Sequence, residues 1–456
     1  MPSGDELHPM VWHRDSVIIS PSEIEDAARS QAVPEVRGPV KRSKWRKLAR
    51  AFLVLLLVGI VFVAAILLRG IPFPSPTGQF QVGRTSYHLT DVSRQEYFSA
   101  ETDDVRELMI GVHYPAGKTA KARRAPYADT VLANGVARAF NQPSSVLRLF
   151  RSHSLEKPPC DARNGGFPVV IFSPGLGMPP LLYTATLEDL ASHGFVVVSV
   201  SHPYSVAITA FPGGRVVQSN VAGMKMEGPE VYPGKTEAHA DEALPLPSDV
   251  WVEDLRFVLD ELTRLNQDDP LLAGHMDMSK AGVFGHSYGG AASARVTQVD
   301  ERFRAAINMD GAEFSDTMGA GIPRPMMWIN AELQEIDDEA LANAGKTRAW
   351  AEERKRIHAE RLSELFQNTP GATDIQIRGA AHLTLVSDLA LVGSTWPWSL
   401  LVMNAELGTI PGRRSVQLVD TCVVRFFQNH LQGQSTPDLK NLPHEFPEIV
   451  LKTHQQ

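Results

Sequence analysis

Cysteine is nearly missing from this chain of 456 residues: Cys160 and Cys422 are the only two. That excludes a disulfide scaffold and any four-cysteine zinc or iron–sulfur cage, and leaves one bridge or two separate thiols. An excess of positive charge is missing as well. The formal net charge is −8 and the pI near 6.0, which argues against a general nucleic-acid binder. No Asn-x-Ser/Thr sequon occurs, which disfavours a glycosylated ectodomain. From residue 79 onward there is no internal repeat and no low-complexity tract. With 43% hydrophobic and 21% charged residues the chain has an ordinary globular balance, not that of a disordered one.

What is present is unevenly placed. Residues 1–69 carry a net charge of +3 and the remainder −11. Lys41, Arg42, Lys44, Arg46, Lys47 and Arg50 lie just ahead of Ala51–Leu68, AFLVLLLVGIVFVAAILL, which has no charged or strongly polar residue. As a helix this run is roughly 27 Å long, close to the ~30 Å hydrocarbon layer of a bilayer. A buried core helix would be shorter or amphipathic. A cleaved signal peptide would place about 7–15 apolar residues near the start, followed by small residues. Here 50 residues precede the run and Arg69-Gly70-Ile71-Pro72 follows, so an uncleaved anchor is expected. The basic cluster predicts a cytoplasmic N-terminus and an extracytoplasmic bulk, on the periplasmic or extracellular side.

Length alone suggests about three domains at ~150 residues each, but the pattern after the anchor reads as one. Short apolar runs alternate with helical stretches, the signature of a mostly parallel sheet covered on both faces. Strands are expected at Glu107–Tyr114, Phe167–Ser173, Phe195–Val200, Ala281–Gly285, Ala305–Met309, Met326–Asn330 and Ile375–Arg378. Helices are expected at Thr184–His193, Val250–Leu265 and Ser415–Leu431. Phe211–Ser248, polar and rich in Pro and Gly, and Glu332–Asn368, highly charged, interrupt the rhythm as insertions.

The sharpest chemical signal is Gly285-His286-Ser287-Tyr288-Gly289, between an expected buried strand and a small-residue helix start. This is the G-x-S-x-G elbow in its strand–turn–helix context, where glycines relieve crowding and the serine hydroxyl projects from a sharp turn. A serine needs a base, and in such folds the acid and then the histidine follow it along the chain. Of 15 histidines, His382 follows the last strand of the parallel series, while His286 sits within the elbow and His275 and His358 border or interrupt helical stretches. Asp310 closes Ala305–Met309 and Glu332 closes the next strand; position leaves the two comparable as the acid, with Asp337, Asp338 and Asp374 weaker. An oxyanion hole needs two backbone N–H groups. Tyr288, after the serine, and Leu176, in the loop Ser173-Pro174-Gly175-Leu176-Gly177, are the candidates.

A longer set of stretches is collinear across residues 105–435: LMIGVHYPA (108–116), FPVVIFSPGLG (167–177), LASHGFVVVSVSHP (190–203), VFGHSYGGA (283–291), RFRAAINMDG (302–311), PMMWINAE (325–332) and RGAAHLTLVSD (378–388). In this the chain resembles the plasma-type platelet-activating factor acetylhydrolase family of α/β-hydrolases. The resemblance implies Ser287 as nucleophile, Asp310 as acid, His382 as base, and the Leu176 and Tyr288 amides as oxyanion donors. It selects Asp310 because the family's acid lies 23 residues beyond the serine, as here. It also implies calcium independence, with no metal or other cofactor. Pro174 stands where the family usually has histidine, and Glu332–Asn368 lengthens the acid-to-histidine separation.

The expected fold is therefore an α/β-hydrolase, a mostly parallel sheet with helices on both faces, preceded by one transmembrane helix. The expected parts are a cytoplasmic disordered basic tail (1–48), a signal-anchor helix (49–69), a Pro-rich linker (70–78), the catalytic domain (79–435) and a C-terminal tail (436–456). The expected function is a membrane-anchored serine esterase acting through an acyl-enzyme, with short or oxidised acyl chains of phospholipids as the substrate the resemblance implies. A broad carboxylesterase for small or polyester substrates is the alternative, and a hydrolase-like receptor or scaffold the non-enzymatic one. Apart from substrate and membrane no partner is expected, nucleic acid included, and the oligomeric state is left open.

Overall fold

The structure, a computed structural model, describes residues 42–101, 103–117, 122–224, 247–314, 317, 321–332, 338, 341, 347–395, 407–434 and 439–452. The chain divides into two units, Met1–Ala65 and Ile66–Gln456. The described part of the first is helix α1 (Arg42–Arg69) up to residue 65. Between Lys44 and Ala65 it is long and apolar enough to cross a membrane, and none of that stretch is buried against protein. The apolar side chains cover its whole circumference instead of one face.

The second unit is built on a sheet of ten strands among the described residues. In chain order its main strands are β1 (Gln81–Gln95), β2 (Val105–Ala116), β3 (Phe167–Ser173), β4 (Val196–Ser201), β5 (Met276–His286), β6 (Phe303–Met309), β7 (Met326–Ala331), β8 (Thr373–Ile377) and β9 (Ile449–Lys452). Across the sheet they run β9-β8-β7-β6-β5-β3-β4-β2-β1, with Leu155–Glu156 on the outer edge of β1. The block from β8 to β4 is parallel, while β9, β2 and β1 pair antiparallel to their inner neighbours. All seven residues of β3 are buried, because both faces of the sheet are covered; six are apolar and the seventh, Ser173, is hydrogen-bonded.

Helices α4 (Pro247–Asp268) and α5 (Tyr288–Val299) cover one face, with Trp251, Leu255, Val258, Leu259 and Leu262 forming the buried stripe of α4. Helices α3 (Thr184–Ser192), α7 (Ser387–Gly393) and α8 (Gly412–Phe427) supply the core on the other face. Ahead of these in sequence is α2 (Thr130–Ala139), and α6 (Arg348–Gln367) lies between α5 and α7. All seven expected strands and all three expected helices form, their ends moved by a few residues.

Four stretches differ from their expected form. Ile71 and Phe73, in the expected spacer, are buried; Ile71–Pro72 pairs with Phe150–Arg151, and Thr77 donates to Asp189 from both its amide (2.6 Å) and its hydroxyl (2.9 Å). Two large apolar side chains beside the prolines are enough to dock the segment on its own domain. Strand β9 lies beyond residue 435, in the stretch read as a tail. Strand β1 was not expected at all: its burial alternates only in part and polar residues interrupt it. The charged insertion after Glu332 includes α6, which buries Leu365 and Phe366, the latter 4.4 Å from Trp328 between ring centroids. Residues 1–41, 225–246, Asp337 and Trp396–Trp398 lie outside the described residues. Cys160 and Cys422 are both free thiols, Cys422 within the core.

Candidate active site

Only Ser287 separates the end of β5 from the start of α5, so the backbone must reverse within one residue. Its φ of 54° and ψ of −123° place it in a region that L-residues avoid. The strain is held by the Ser287 N–H donating to the Met309 carbonyl (2.8 Å) and by Gly290 N–H donating to the Ser287 carbonyl (2.9 Å). Gly289 is needed because a Cβ there would overlap the carbonyl oxygens of Ser173 and Pro174. The turn also puts Ser287 at the amino end of α5, where unpaired amides and the helix dipole favour negative charge.

Strand β6 runs parallel beside β5, so its first loop residue, Asp310, emerges next to the elbow. Asp310 too has positive φ (56°), a conformation that aspartate tolerates better than most residues. Its Oδ1 accepts from the Ala331 amide (2.9 Å) and its Oδ2 from His382 Nδ1–H (2.6 Å). The Ser287 hydroxyl meets the other imidazole nitrogen, His382 Nε2, at 3.0 Å. Burial alone would raise the Asp310 carboxyl. The His382 hydrogen bond and charge, with the Ala331 amide, outweigh it and hold the group below the usual carboxylate range. His382 is 44% exposed and so can be reached from outside.

The other acid candidates are occupied elsewhere. Glu332 turns its carboxylate to the Gly379 amide (2.6 Å), and its own N–H donates to the Ala380 carbonyl (2.9 Å), so it braces the histidine loop. Asp374 accepts from the Asn330 side chain and Asp338 pairs with Arg348. His286, inside the elbow, offers its Nε2–H to the His382 carbonyl (3.1 Å), with its ring centroid 4.6 Å from that of His382. Burial, with the neighbouring His382 charge, pushes it down to about 3, so it stays neutral.

The expected oxyanion loop lies against the serine: a Cβ on Gly175 would sit 3.4 Å from Ser287 Cβ. Met178 N–H donates to the Gly175 carbonyl (2.9 Å), closing a turn whose third residue, Gly177, has φ of 76°, a position that favours glycine. Leu176 is the residue inside this turn. Beneath it is a buried network that sequence reasoning missed. Asp254 takes a forked bond from Arg106 (3.1 and 2.6 Å), an ion pair from Arg94 (3.0 Å) and Nδ1–H of His202 (2.8 Å). His202 Nε2 then meets Ser173 Oγ at 3.1 Å, at the end of β3 where the loop begins. The His202 ring also stacks on Trp251 at 3.9 Å, and Trp251 meets the ring of Tyr288 edge-on at 5.1 Å. Among the described residues no group of three or more His, Cys, Asp or Glu side chains is placed to hold a metal ion.

An elbow serine on a mostly parallel sheet, facing a histidine and a carboxylate from later strands, is the arrangement of the α/β-hydrolases. The solved structure of a ferulic acid esterase from Streptomyces cinnamoneus superposes with a TM-score of 0.65 at 26% identity, covering 84% of this chain and 100% of that one. The chain is a carboxylic ester hydrolase of this fold. The family model "Platelet-activating factor acetylhydrolase, isoform II" matches residues 67–225 and 259–443, and the chain belongs to that family. A probable 1-alkyl-2-acetylglycerophosphocholine esterase from Arthroderma benhamiae is 24% identical over 399 residues, 83% of this chain and 92% of that one. A platelet-activating factor acetylhydrolase from Cavia porcellus is 26% identical over 279 residues, 58% of each chain.

Proposed function

We propose that the chain is a membrane-anchored serine esterase that removes short or oxidised acyl groups from the middle glycerol position of phospholipids. The observation that carries the chemistry is the continuous contact Ser287 Oγ–His382 Nε2 (3.0 Å) and His382 Nδ1–Asp310 Oδ2 (2.6 Å). As Ser287 Oγ attacks the ester carbonyl carbon, its proton passes to His382 Nε2. Asp310 holds the imidazole in the tautomer that can accept this proton and stabilises the resulting cation. The carbonyl oxygen takes up the negative charge facing the Leu176 and Tyr288 amides. Collapse breaks the ester bond, His382 returns the proton to the departing alkoxide, and the acyl group remains on Ser287. Water, deprotonated by His382, then releases the carboxylic acid and restores the serine.

The substrate reading rests on the family and on the names of its members. Anchoring rests on α1, and the basic residues ahead of it favour a cytoplasmic N-terminus with the hydrolase domain on the opposite side. An anchor holds the site beside a lipid substrate. A broad carboxylesterase is the second reading, favoured by the likeness to a ferulic acid esterase. The test compares a phospholipid with an acetyl group at the middle position, its long-chain counterpart and a simple acetyl ester, with Ser287→Ala as control. Serine-dependent cleavage of the short-chain lipid and the simple ester supports the lipid enzyme. Cleavage of the simple ester alone moves the function to the carboxylesterase, and activity that survives in Ser287→Ala removes the serine mechanism.

A further inference from the structure

The elbow histidine and a tyrosine on the far side of the oxyanion loop form a chain of hydrogen bonds that the reaction scheme does not use. Gly175 N–H lies 3.2 Å from Tyr183 Oη, Tyr183 Oη lies 2.8 Å from His286 Nδ1, and His286 Nε2 lies 3.1 Å from the His382 carbonyl. Tyr183 and His286 are 1% exposed, so water cannot substitute for either. We infer that Tyr183 and His286 are positioning residues that lock the oxyanion loop to the backbone of the base His382. The inference rests on the reading of Ser287 and His382 given above.

The chemistry of the four groups sets one direction along the chain. A carbonyl only accepts, so His286 must carry its proton on Nε2 and donate it to His382. The imidazole is neutral, held down by burial and by the His382 charge. Its Nδ1 is therefore a bare acceptor, which requires the Tyr183 hydroxyl to donate to it. The oxygen of that hydroxyl is then free to accept from Gly175. Each donor has one acceptor and no second tautomer satisfies the set. Gly175 adjoins Leu176, the expected oxyanion donor, and the His382 carbonyl belongs to the residue that moves the proton. One buried phenol thus fixes the distance between the place where negative charge develops and the place where the proton is held.

Removing the hydroxyl leaves two buried partners unmatched, Gly175 N–H and His286 Nδ1, without changing the shape of the ring. The freed loop and base lose alignment in the transition state more than in the substrate complex, so turnover falls and binding does not. A displacement of the order of an ångström in such a pair costs about 100-fold.

The experiment uses the full chain in detergent with p-nitrophenyl acetate, and a trifluoromethyl ketone that forms a hemiketal with the serine as a transition-state mimic. Tyr183→Phe is expected to lower kcat by about 10- to 100-fold with KM unchanged, and to weaken the ketone by the same factor. His286→Gln, which keeps an N–H for the His382 carbonyl and an oxygen for Tyr183, is expected to retain most of the turnover. His286→Leu, which fills the space without either group, is expected to behave like Tyr183→Phe. A packing role would make Leu and Gln equal at position 286, and that equality would overturn the inference. So would wild-type kcat and ketone affinity in Tyr183→Phe while Ser287→Ala is inactive; the serine mechanism would then stand without the relay. Activity that survives in Ser287→Ala removes the underlying reading instead. Should Tyr183→Phe fail to fold, the comparison of Gln with Leu at position 286 decides.

Discussion

Glu313 lies three residues past Asp310, and its carboxyl is buried with one oxygen shared by Trp328 Nε1–H (2.6 Å) and Asn308 Nδ2–H (2.7 Å). The other oxygen, Oε2, is buried with no hydrogen-bond partner. Burial, against the pull of those two donors, pushes the group from 4.5 up to about 7. A carboxyl with a raised folded pKa favours the folded state fully below its unfolded value. That contribution is lost as pH rises from about 4.5 through about 7. At about 1.4 kcal/mol per pH unit the loss is about 3 kcal/mol. Glu313→Gln keeps the shared oxygen and the size but never ionises. Urea unfolding of both proteins in one detergent, followed by tryptophan fluorescence, should show the variant gaining about 2–3 kcal/mol over wild type between about pH 5 and about pH 8. The raised carboxyl of Asp388, which has the same sign, is common to both proteins and cancels. A difference that stays flat over this range would mean that Glu313 ionises normally, and the reasoning from its buried oxygen would fail.

Asp310→Asn should lower kcat by about 10⁴-fold with thermal stability kept, since the amide favours the wrong imidazole tautomer; steady-state kinetics beside a melting curve tests this. Asp254→Ala removes the forked bond from Arg106, which is 1% exposed and keeps only Glu96 (2.6 Å) as its carboxylate, and takes a partner from Arg94 and His202; it should cost about 3–5 kcal/mol in urea unfolding. Gly289→Ala would drive a Cβ into the carbonyl oxygens of Ser173 and Pro174 and should abolish either folding or esterase activity. Gly274→Ala, at φ 74° with open space around it, should cost about 1–2 kcal/mol and leave activity intact, separating backbone strain from collision.

The parallel strands were legible because strands buried on both faces need unbroken Val, Ile and Phe, and helices between them need a 3.6-residue stripe. The elbow was legible for a related reason: a one-residue reversal between strand and helix tolerates few residue types around Ser287. Strand β1 carries no such mark, since an antiparallel strand near an edge is only half covered and admits polar residues. The docking of Ile71 and Phe73 is not legible, because three prolines within six residues read as a spacer whatever stands beside them.

From its own composition and spacing the chain determines an apolar helix behind a basic cluster, a parallel α/β sheet, and an elbow serine with a histidine after the last parallel strand. These are local properties, decided by residue size, polarity and period. Which carboxylate meets His382 is not local. Asp310 and Glu332 both end a strand, and only the adjacency of β6 to β5 sends one to the imidazole and the other to the Gly379 amide. The buried partners are likewise a product of assembly. Tyr183 reaches His286 across 103 positions and Arg106 reaches Asp254 across 148, distances along the chain that no short-range pattern records. Burial then turns ordinary side chains into a neutral histidine and a glutamate that titrates near 7, because desolvation depends on what the finished fold packs around a group.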